Sequence, residues 1–200
     1  MLTLAQQTSY VPDANFENYL EYHDYNGLPC SISSPNSMGN GIANDSAVFT
    51  SAINTVDTLE VQGQNIADLT GIQAFTTLTY LDCSYNQLTI LDVSQNTALT
   101  YLSCYTNQLT SLDVSTNTAL TTLGCGSNNL TSFDVSQNTA LTDLWCGLNL
   151  LTNLDISQNT VLTDLSCGDN LFTSLDVSQN TNLVYLDCFE NQLTSLDLRN

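Results

Sequence analysis

Apolar and polar positions recur with a fixed spacing through most of this chain. From Leu78 onward the pattern L-T-x-L-x-C-x-x-N-x-L-T-x-L-D-V-S-x-N-T-x occurs six times, each copy 21 residues after the last. Within a copy, apolar residues alternate with polar ones at two places, first at Leu81 and Cys83 and again at Leu91 and Val93. Such alternation predicts a strand with one buried face. We therefore expect two short extended segments in each copy, with little room for a helix.

The fixed period predicts a stack of coils. One coil cannot bury its leucines alone, whereas coils stacked about 4.8 Å apart pair their strands in register and enclose a continuous core. A divergent 22-residue copy at 56–77 adds a further coil, so that about seven coils are expected over 56–200. One asparagine in each half of the pattern is expected to bond backbone groups where the chain bends, because its amide both donates and accepts.

Six of the seven cysteines occupy one inward position of successive copies, at Cys83, Cys104, Cys125, Cys146, Cys167 and Cys188. Six cysteines in an exported protein can form disulfides, but side chains in register on parallel strands fit disulfide geometry poorly. We expect buried free thiols that fill the core, and an unpaired Cys30 upstream. The C-x-x-C spacing typical of metal and iron–sulfur sites is absent from the sequence.

Two segments are predicted before the repeats. Residues 8–55 are expected to form an N-terminal cap, in which Asp13 caps a short helix. Phe16, Tyr19 and Leu20 of that helix would cover the open end of the first coil. Residues 1–7, MLTLAQQ, are first apolar and then polar, as at the end of a signal peptide, with an ordinary flexible terminus as the alternative.

The repeated pattern resembles the 21-residue bacterial leucine-rich repeat, a subtype built from two nested L-x-x-L-x-L-x-x-N halves. The segments 10–20 and 38–45 resemble the cap of secreted flavobacterial proteins of this kind. The resemblance implies an α/β solenoid: a right-handed leucine-rich-repeat coil, mostly β with short strands, little convex helix and a small helical cap. It also implies a secreted or cell-surface protein. Because such proteins often carry a secretion signal after the repeats, we expect the chain to be truncated after Asn200.

The charge of the chain excludes several function classes. Twenty Asp and Glu residues stand against a single cationic side chain, Arg199, for a formal net charge of -19. Such a surface repels phosphate backbones and anionic lipid, so nucleic acid and acidic membranes are not expected as partners. No apolar run after the N-terminus reaches the roughly 18 residues of a membrane-spanning helix. With no lysine, one histidine (His23) and no nucleophile motif, we expect no enzyme activity, metal or cofactor.

The two segments of each coil differ in their outward side chains. The outward side chains of the second segment are nearly constant from copy to copy and include an aspartate, as at Asp92. This uniformity favours a scaffold role. A row of carboxylates that could hold Ca²⁺ is the alternative. The outward side chains of the first segment vary and combine aromatic rings with carboxylates, a composition typical of binding surfaces. Ordinary strand formers without a partner are the alternative. The predicted binding residues are Tyr80, Asp82, Tyr101, Tyr105, Asp143, Trp145, Asp164, Tyr185, Asp187 and Phe189.

These observations favour an extracellular protein-binding or adhesion module that holds a partner with a basic surface on the exposed concave face of its strands. A carbohydrate-binding module is the alternative, in which the same aromatic rings stack on sugar rings beside the carboxylates. Ice binding through regular rows of threonine, such as Thr89 and its equivalents, is a third alternative.

Overall fold

The computed structural model describes residues 6–194 and 196 of the chain. Most of the predicted signal-peptide remnant, 1–7, and the last residues of the predicted array therefore lie outside the described residues. The cap contains β1 (Thr8–Tyr10), α1 (Ala14–Tyr22), β2 (Ala47–Phe49) and α2 (Thr50–Ile53). Seven three-residue strands follow: β3 (Thr58–Glu60), β4 (Tyr80–Asp82), β5 (Tyr101–Ser103), β6 (Thr122–Gly124), β7 (Asp143–Trp145), β8 (Asp164–Ser166) and β9 (Tyr185–Asp187). Among the residues described, no helix is long and apolar enough to cross a membrane.

Strands β3 to β9 form one parallel sheet in sequence order. The register pairs equivalent residues of successive copies, so that Leu102 lies between Leu81 on one side and Leu123 on the other. The middle leucine of each strand from β3 to β8 is buried, and the first residue of each strand is at least partly exposed. The predicted solenoid of short parallel strands with little helix is therefore confirmed.

Only the first of the two extended segments expected in each coil forms a strand in the part of the chain that the structure describes. At the second segment, Asp92 Oδ1 accepts the N–H of Ser94 at 3.0 Å. The N–H of Asn96 donates to the carbonyl of Val93 in the same coil, also at 3.0 Å. Backbone groups that are satisfied within one coil cannot join a ladder between coils. The remainder of each coil is therefore irregular, with one 3₁₀ turn at Ile72–Ala74.

A single apolar core runs along the stack and includes the repeat cysteines. All seven cysteines lie within the described residues and are free; five are buried, whereas Cys30 and Cys188 are partly exposed. This confirms the predicted free thiols. Burial raises the pKa of Cys104 to about 12, so its thiol stays neutral near neutral pH and fills space as a small apolar group.

A row of asparagines fixes the bend that follows each strand, and Asn128 is representative. Its Nδ2 donates to the carbonyl oxygens of Cys104, Cys125 and Gly126 at 3.0, 3.1 and 3.1 Å. Its Oδ1 accepts the N–H of Leu109 at 2.9 Å. One buried side chain thus pairs four backbone groups from two adjacent coils, as predicted. The same pattern occurs at Asn86, Asn107, Asn149, Asn170 and Asn191.

The second row of asparagines also bonds backbone, but it only donates. Asn138 Nδ2 donates to the carbonyls of Val114 and Asn117, both at 2.9 Å. Its Oδ1 is buried and has no hydrogen-bond partner among the described residues. Each side chain of this row therefore satisfies two backbone groups rather than four. The row consists of Asn96, Asn117, Asn138, Asn159 and Asn180.

The cap closes the first coil with helix α1. Asp13 accepts the N–H of Phe16 at 3.0 Å, which caps the helix as predicted, and its second oxygen accepts the N–H of Ala67 in the first coil at 2.8 Å. Phe16, Tyr19 and Leu20 are buried in the common core, as predicted. Asp13 therefore both starts the helix and fixes it to the array.

Two glutamates of α1 are buried, which the sequence analysis did not predict. Glu21 accepts the N–H groups of Asn40 and Gly41 at 2.6 and 3.0 Å, and Glu17 accepts the N–H of Asp45 at 2.9 Å. Each carboxyl group supplies acceptors to a loop that has no strand partner. The helix thereby holds the loop that leads back into the array.

Candidate functional site

The strand face comprises the outward residues of β3 to β9 and the residue that follows the cysteine of each coil. All ten predicted binding residues lie on this face. The parallel register places equivalent residues side by side, so residues 21 positions apart in sequence become neighbours in space. What the face can bind therefore depends on which side chains follow one another along the stack.

Tyr80 and Tyr101 form a stacked pair at the N-terminal end of the face. They occupy the first positions of β4 and β5, and their rings lie 4.1 Å apart between centroids and within 5° of parallel. Burial raises the pKa of Tyr80 to about 12, so its hydroxyl stays neutral. The pair presents a partly covered aromatic surface beside Asp82.

Trp145 occupies the third position of β7, and 37% of its surface is exposed. Its ring lies over Gly124 of the preceding strand, where a Cβ atom would stand 3.5 Å from Cε3. Its Nε1 donates to Asp164 Oδ1 on the following strand at 3.1 Å. The indole is thus held across three strands while much of it remains open to solvent.

Three consecutive coils carry glycine at the position after the cysteine, and an aromatic residue occupies that position at either end. A Cβ at Gly126 would lie 2.8 Å from Cε2 of Tyr105, and a Cβ at Gly168 would lie 2.8 Å from Cδ1 of Phe189. Each ring therefore rests on its neighbouring glycine, and the space above Gly147 stays open. We call this space the glycine slot; its volume is about 120 Å³, and Trp145 and Leu148 also line it.

The rim of the glycine slot is fixed by a backbone turn after each strand. Leu148 and Asp169 have φ values of 56° and 53°, in the left-handed region that branched and bulky residues disfavour. Their N–H groups donate to the carbonyls of Gly168 and Phe189 in the next coil, both at 2.9 Å. These bonds between coils offset the strain and hold the two side chains at the slot.

Two carboxylates lie at the rim of the glycine slot. Asp169 and Asp187 line it, and Asp187 Oδ1 accepts the N–H of Phe189 at 3.3 Å. The chain has one Lys or Arg residue in all, Arg199, which lies outside the described residues. No cationic side chain within the described part of the chain offsets the charge of these groups, so the slot combines aromatic walls with a negative rim.

The structure brings together only part of the predicted set. Tyr105, Trp145, Asp187 and Phe189 line the glycine slot, with Asp164 bonded to the indole. The other five, Tyr80, Asp82, Tyr101, Asp143 and Tyr185, lie elsewhere on the face. The glycine floor, Leu148 and Asp169 were not predicted from the sequence. The signal available for the floor was the glycine at the same position in three consecutive copies.

The aspartates of the second segment have a structural role. Asp134 Oδ1 accepts the N–H of Ser136 at 2.8 Å, and this bond holds the pKa of the Asp134 carboxyl below its usual value. The same bond recurs in the preceding and following copies. A row of short local turns thus accounts for the uniform aspartates without a ligand.

We expect the Asp134 carboxyl to titrate at a lower pH in the folded protein than in the urea-unfolded chain. Because the folded pKa is the lower one, the stabilisation is present above the unfolded pKa and is lost as the pH falls through the folded pKa. Carbon-13 NMR of the carboxyl signals in both states measures the difference. Equal midpoints would show that the turn does not form in solution.

Several depressions on the described residues are larger than the glycine slot, and most of them lie away from the strand face. One, of about 460 Å³, is bordered by the cap loop near Ser33 and Gly39, and another, of about 390 Å³, lies between Ala67 and Asp92. Neither has a tryptophan or tyrosine wall. A depression of about 290 Å³ at the β3 end of the strand face is lined by one tyrosine and one glutamate. The smaller glycine slot is the better candidate, because three aromatic side chains and two carboxylates line it.

The chain is similar to several bacterial proteins of known sequence or structure. No protein-family model matches the chain. A stretch of 42 residues is 52% identical to internalin J of Listeria monocytogenes, and covers 21% of this chain and 5% of that protein. The solved functional domain of InlJ from the same organism, described as including a cysteine ladder, is 30% identical over 98% of this chain and 55% of its own, with a TM-score of 0.42. A leucine-rich-repeat protein of Leptospira interrogans is 30% identical over 72% of this chain and 40% of its own, with a TM-score of 0.66. An internalin C2 of Listeria monocytogenes is 20% identical over 98% of this chain and 93% of its own, with a TM-score of 0.73.

The fold is therefore that of a leucine-rich-repeat solenoid, as the likeness to the Leptospira protein and to internalin C2 shows. The resemblance to bacterial leucine-rich-repeat proteins is supported as well. The flavobacterial type and the 21-residue subtype stay predictions. The chain spans 5% of the curated relative and 55% and 40% of the two solved chains that are 30% identical to it.

Proposed function

We propose that this chain is an extracellular protein-binding or adhesion module that holds a partner with a basic surface on the concave side of its strand face. The observation that carries the proposal is the row of exposed aromatic rings beside carboxylates that no cation of the described chain neutralises. The leucine-rich-repeat solenoid fold supports a role in binding, because stacked coils present one extended strand surface to a partner.

The composition of the strand face suits a protein partner. Trp and Tyr bury a large area at low cost in conformational entropy, and they dominate the affinity of many interfaces. A negative potential around them accelerates association with a positive surface and disfavours acidic partners. Trp145 and Tyr105 supply the first property, and Asp164, Asp169 and Asp187 the second.

A carbohydrate partner is the second candidate for the same face. The open indole of Trp145, bonded at Nε1 to Asp164, presents an aromatic surface on which a sugar ring can stack. Neighbouring carboxylates such as Asp187 would accept hydrogen bonds from its hydroxyl groups. The two candidates differ in charge, since neutral glycans gain nothing from the negative potential.

We expect Trp145→Ala to weaken binding of a small basic protein, such as lysozyme, by about 2 kcal/mol or roughly 30-fold. The substitution leaves the net charge unchanged, so attraction to the acidic surface as a whole is retained. Surface plasmon resonance at physiological salt measures the affinity, and Tyr25→Ala in the cap is the matched aromatic control. Some loss of thermal stability is expected as well, because the indole packs over Gly124 and bonds Asp164, so circular dichroism must show that the variant is folded at the temperature of the binding measurement.

Trp145 is the only tryptophan, so its fluorescence reports on this face alone. Binding of lysozyme that depends on Trp145 in the resonance measurement, with no shift of Trp145 emission in soluble neutral polysaccharides, supports the proposal. A shift of Trp145 emission with polysaccharide, without binding of lysozyme, would favour the glycan candidate. Equal lysozyme affinity of wild type and folded Trp145→Ala would overturn the assignment to this face.

A further inference from the structure

We propose that the glycine slot binds the guanidinium group of an arginine side chain presented by the partner. This inference rests on the proposed function, because it assigns the chemical group through which a basic partner engages the strand face. It is carried by the size of the slot, by its aromatic walls and by the carboxylates at its rim.

The size of the slot selects one side chain. Its volume of about 120 Å³ is well below the roughly 300–1,000 Å³ of sites that enclose whole small molecules. The backbone floor at Gly147 sets its depth, since a Cβ there would already lie 3.0 Å from the carbonyl oxygen of Gly168. The slot therefore admits the end of a side chain and leaves the rest of the partner outside.

The walls of the slot favour a flat cation. Tyr105 and Phe189 rest on the glycines at either side, and Trp145 closes a third side. Aromatic faces attract cations, and arginine does so more often than lysine because its planar group stacks on a ring and is weakly hydrated. An ammonium group would have to give up a tighter hydration shell to enter the same space.

The rim supplies the hydrogen-bond acceptors that a guanidinium requires. Asp169 and Asp187 both line the slot, on consecutive coils, and the five N–H donors of arginine can reach carboxylates in a forked geometry. The hydroxyl of Ser166 lies 3.4 Å from Asp187 Oδ2, at the same rim. An apolar guest would leave these carboxylates partly desolvated and unpaired, which disfavours it.

The test is a titration of Trp145 fluorescence with three small probes at constant ionic strength. N-acetyl-arginine methylamide should give a saturable shift. The lysine analogue should bind at least about fivefold more weakly than the arginine probe, because its ammonium group is not planar and cannot stack on a ring. The citrulline analogue, which has the shape of arginine without the charge, should give no shift at the same concentration.

Matched variants locate the site. Tyr105→Ala and Phe189→Ala should each lower the affinity for the arginine probe about tenfold, by removal of one wall. Asp187→Asn should lower it about fivefold or more, whereas Asp155→Asn, which changes the net charge equally on an exposed position of the other row, should change it less than twofold. Circular dichroism checks that each variant is folded.

The outcomes separate this inference from the proposed function. Equal responses to arginine and citrulline, equal responses to arginine and lysine, or equal effects of Asp187→Asn and Asp155→Asn would overturn the arginine assignment. If lysozyme still requires Trp145 in that case, the binding face stands and only the slot assignment fails. If the arginine probe binds the slot but lysozyme shows no affinity, the slot assignment stands and the protein-binding proposal fails.

Discussion

Replacing Asn128 with alanine is expected to lower the free energy of unfolding by about 3 to 5 kcal/mol, because four backbone groups in two coils lose their buried partner. Asn138→Ala should cost about half as much. That side chain pairs two backbone groups, and its own buried Oδ1 is unpaired, so its removal also relieves one unsatisfied group.

Denaturant unfolding followed by circular dichroism measures both changes. Asn129→Ala is the matched control, since Asn129 is exposed beside Asn128 and should shift the midpoint little. In a repeat array each coil contacts only its neighbours, so a substitution in one coil can change the cooperativity of unfolding. The slope of the transition is therefore compared as well as its midpoint. Equal losses for Asn128→Ala and Asn138→Ala would contradict the two bonding patterns.

Gly39→Ala is expected to be the most damaging single-methyl change in the cap. The added Cβ would clash with Cδ and both carboxylate oxygens of Glu21, a residue that is fully buried. Moving that group breaks its bonds to the N–H groups of Asn40 and Gly41 and leaves buried polar atoms unpaired. We expect a loss of about 3 kcal/mol or more in unfolding free energy.

Gly63→Ala serves as the control for this prediction. A Cβ at Gly63 meets nothing within 4 Å, but φ is +69°, so its cost should be the strain of the left-handed region alone, roughly 1 kcal/mol. Thermal melting of both variants gives the comparison. If the melting temperature of Gly39→Ala is equal to or higher than that of Gly63→Ala, the cap loop adapts easily and Glu21 does not organise it.

The repeat predicted the fold well because position in the coil decides burial. The middle leucine of each strand is buried for the same reason, because it packs against the equivalent leucine of the neighbouring coil, as at Leu81, Leu102 and Leu123. One copy of the pattern therefore predicts the others. The free thiols followed from the same argument. Cys104 points inward with its neighbours in register, where a disulfide fits poorly and burial favours the neutral thiol.

Features set by side-chain bonding to backbone were harder to predict. The alternation around Leu91 and Val93 indicates a strand, but the next N–H groups are bonded within the coil, that of Ser94 to Asp92 and that of Asn96 to Val93, and no strand forms there. Hydrophobic periodicity carries no information about such bonds. Glu21 was missed for a similar reason, because a glutamate on a helix is ordinarily exposed and its loop partners lie about twenty residues away.

The candidate site was predictable as a face but not as a cavity. Alternation assigned Tyr105, Trp145 and Phe189 to the outward side, and the register then ordered them along the stack. The direction in which the Tyr105 and Phe189 rings lean depends on the missing Cβ atoms of Gly126 and Gly168. Leu148 reaches the rim through a left-handed backbone conformation that its residue type does not suggest.

The three glycines between Tyr105 and Phe189 also act as a ruler. Each coil adds one strand to the sheet, so distances along this face change only in steps of about 4.8 Å. Deleting or duplicating one glycine-bearing copy would move the two aromatic walls by one step while every remaining coil kept equivalent neighbours. The separation of the two aromatic walls therefore changes only by whole copies of the repeat. Unequal recombination between near-identical repeats could change the number of copies in one step, and with it the size of the group that fits between the walls.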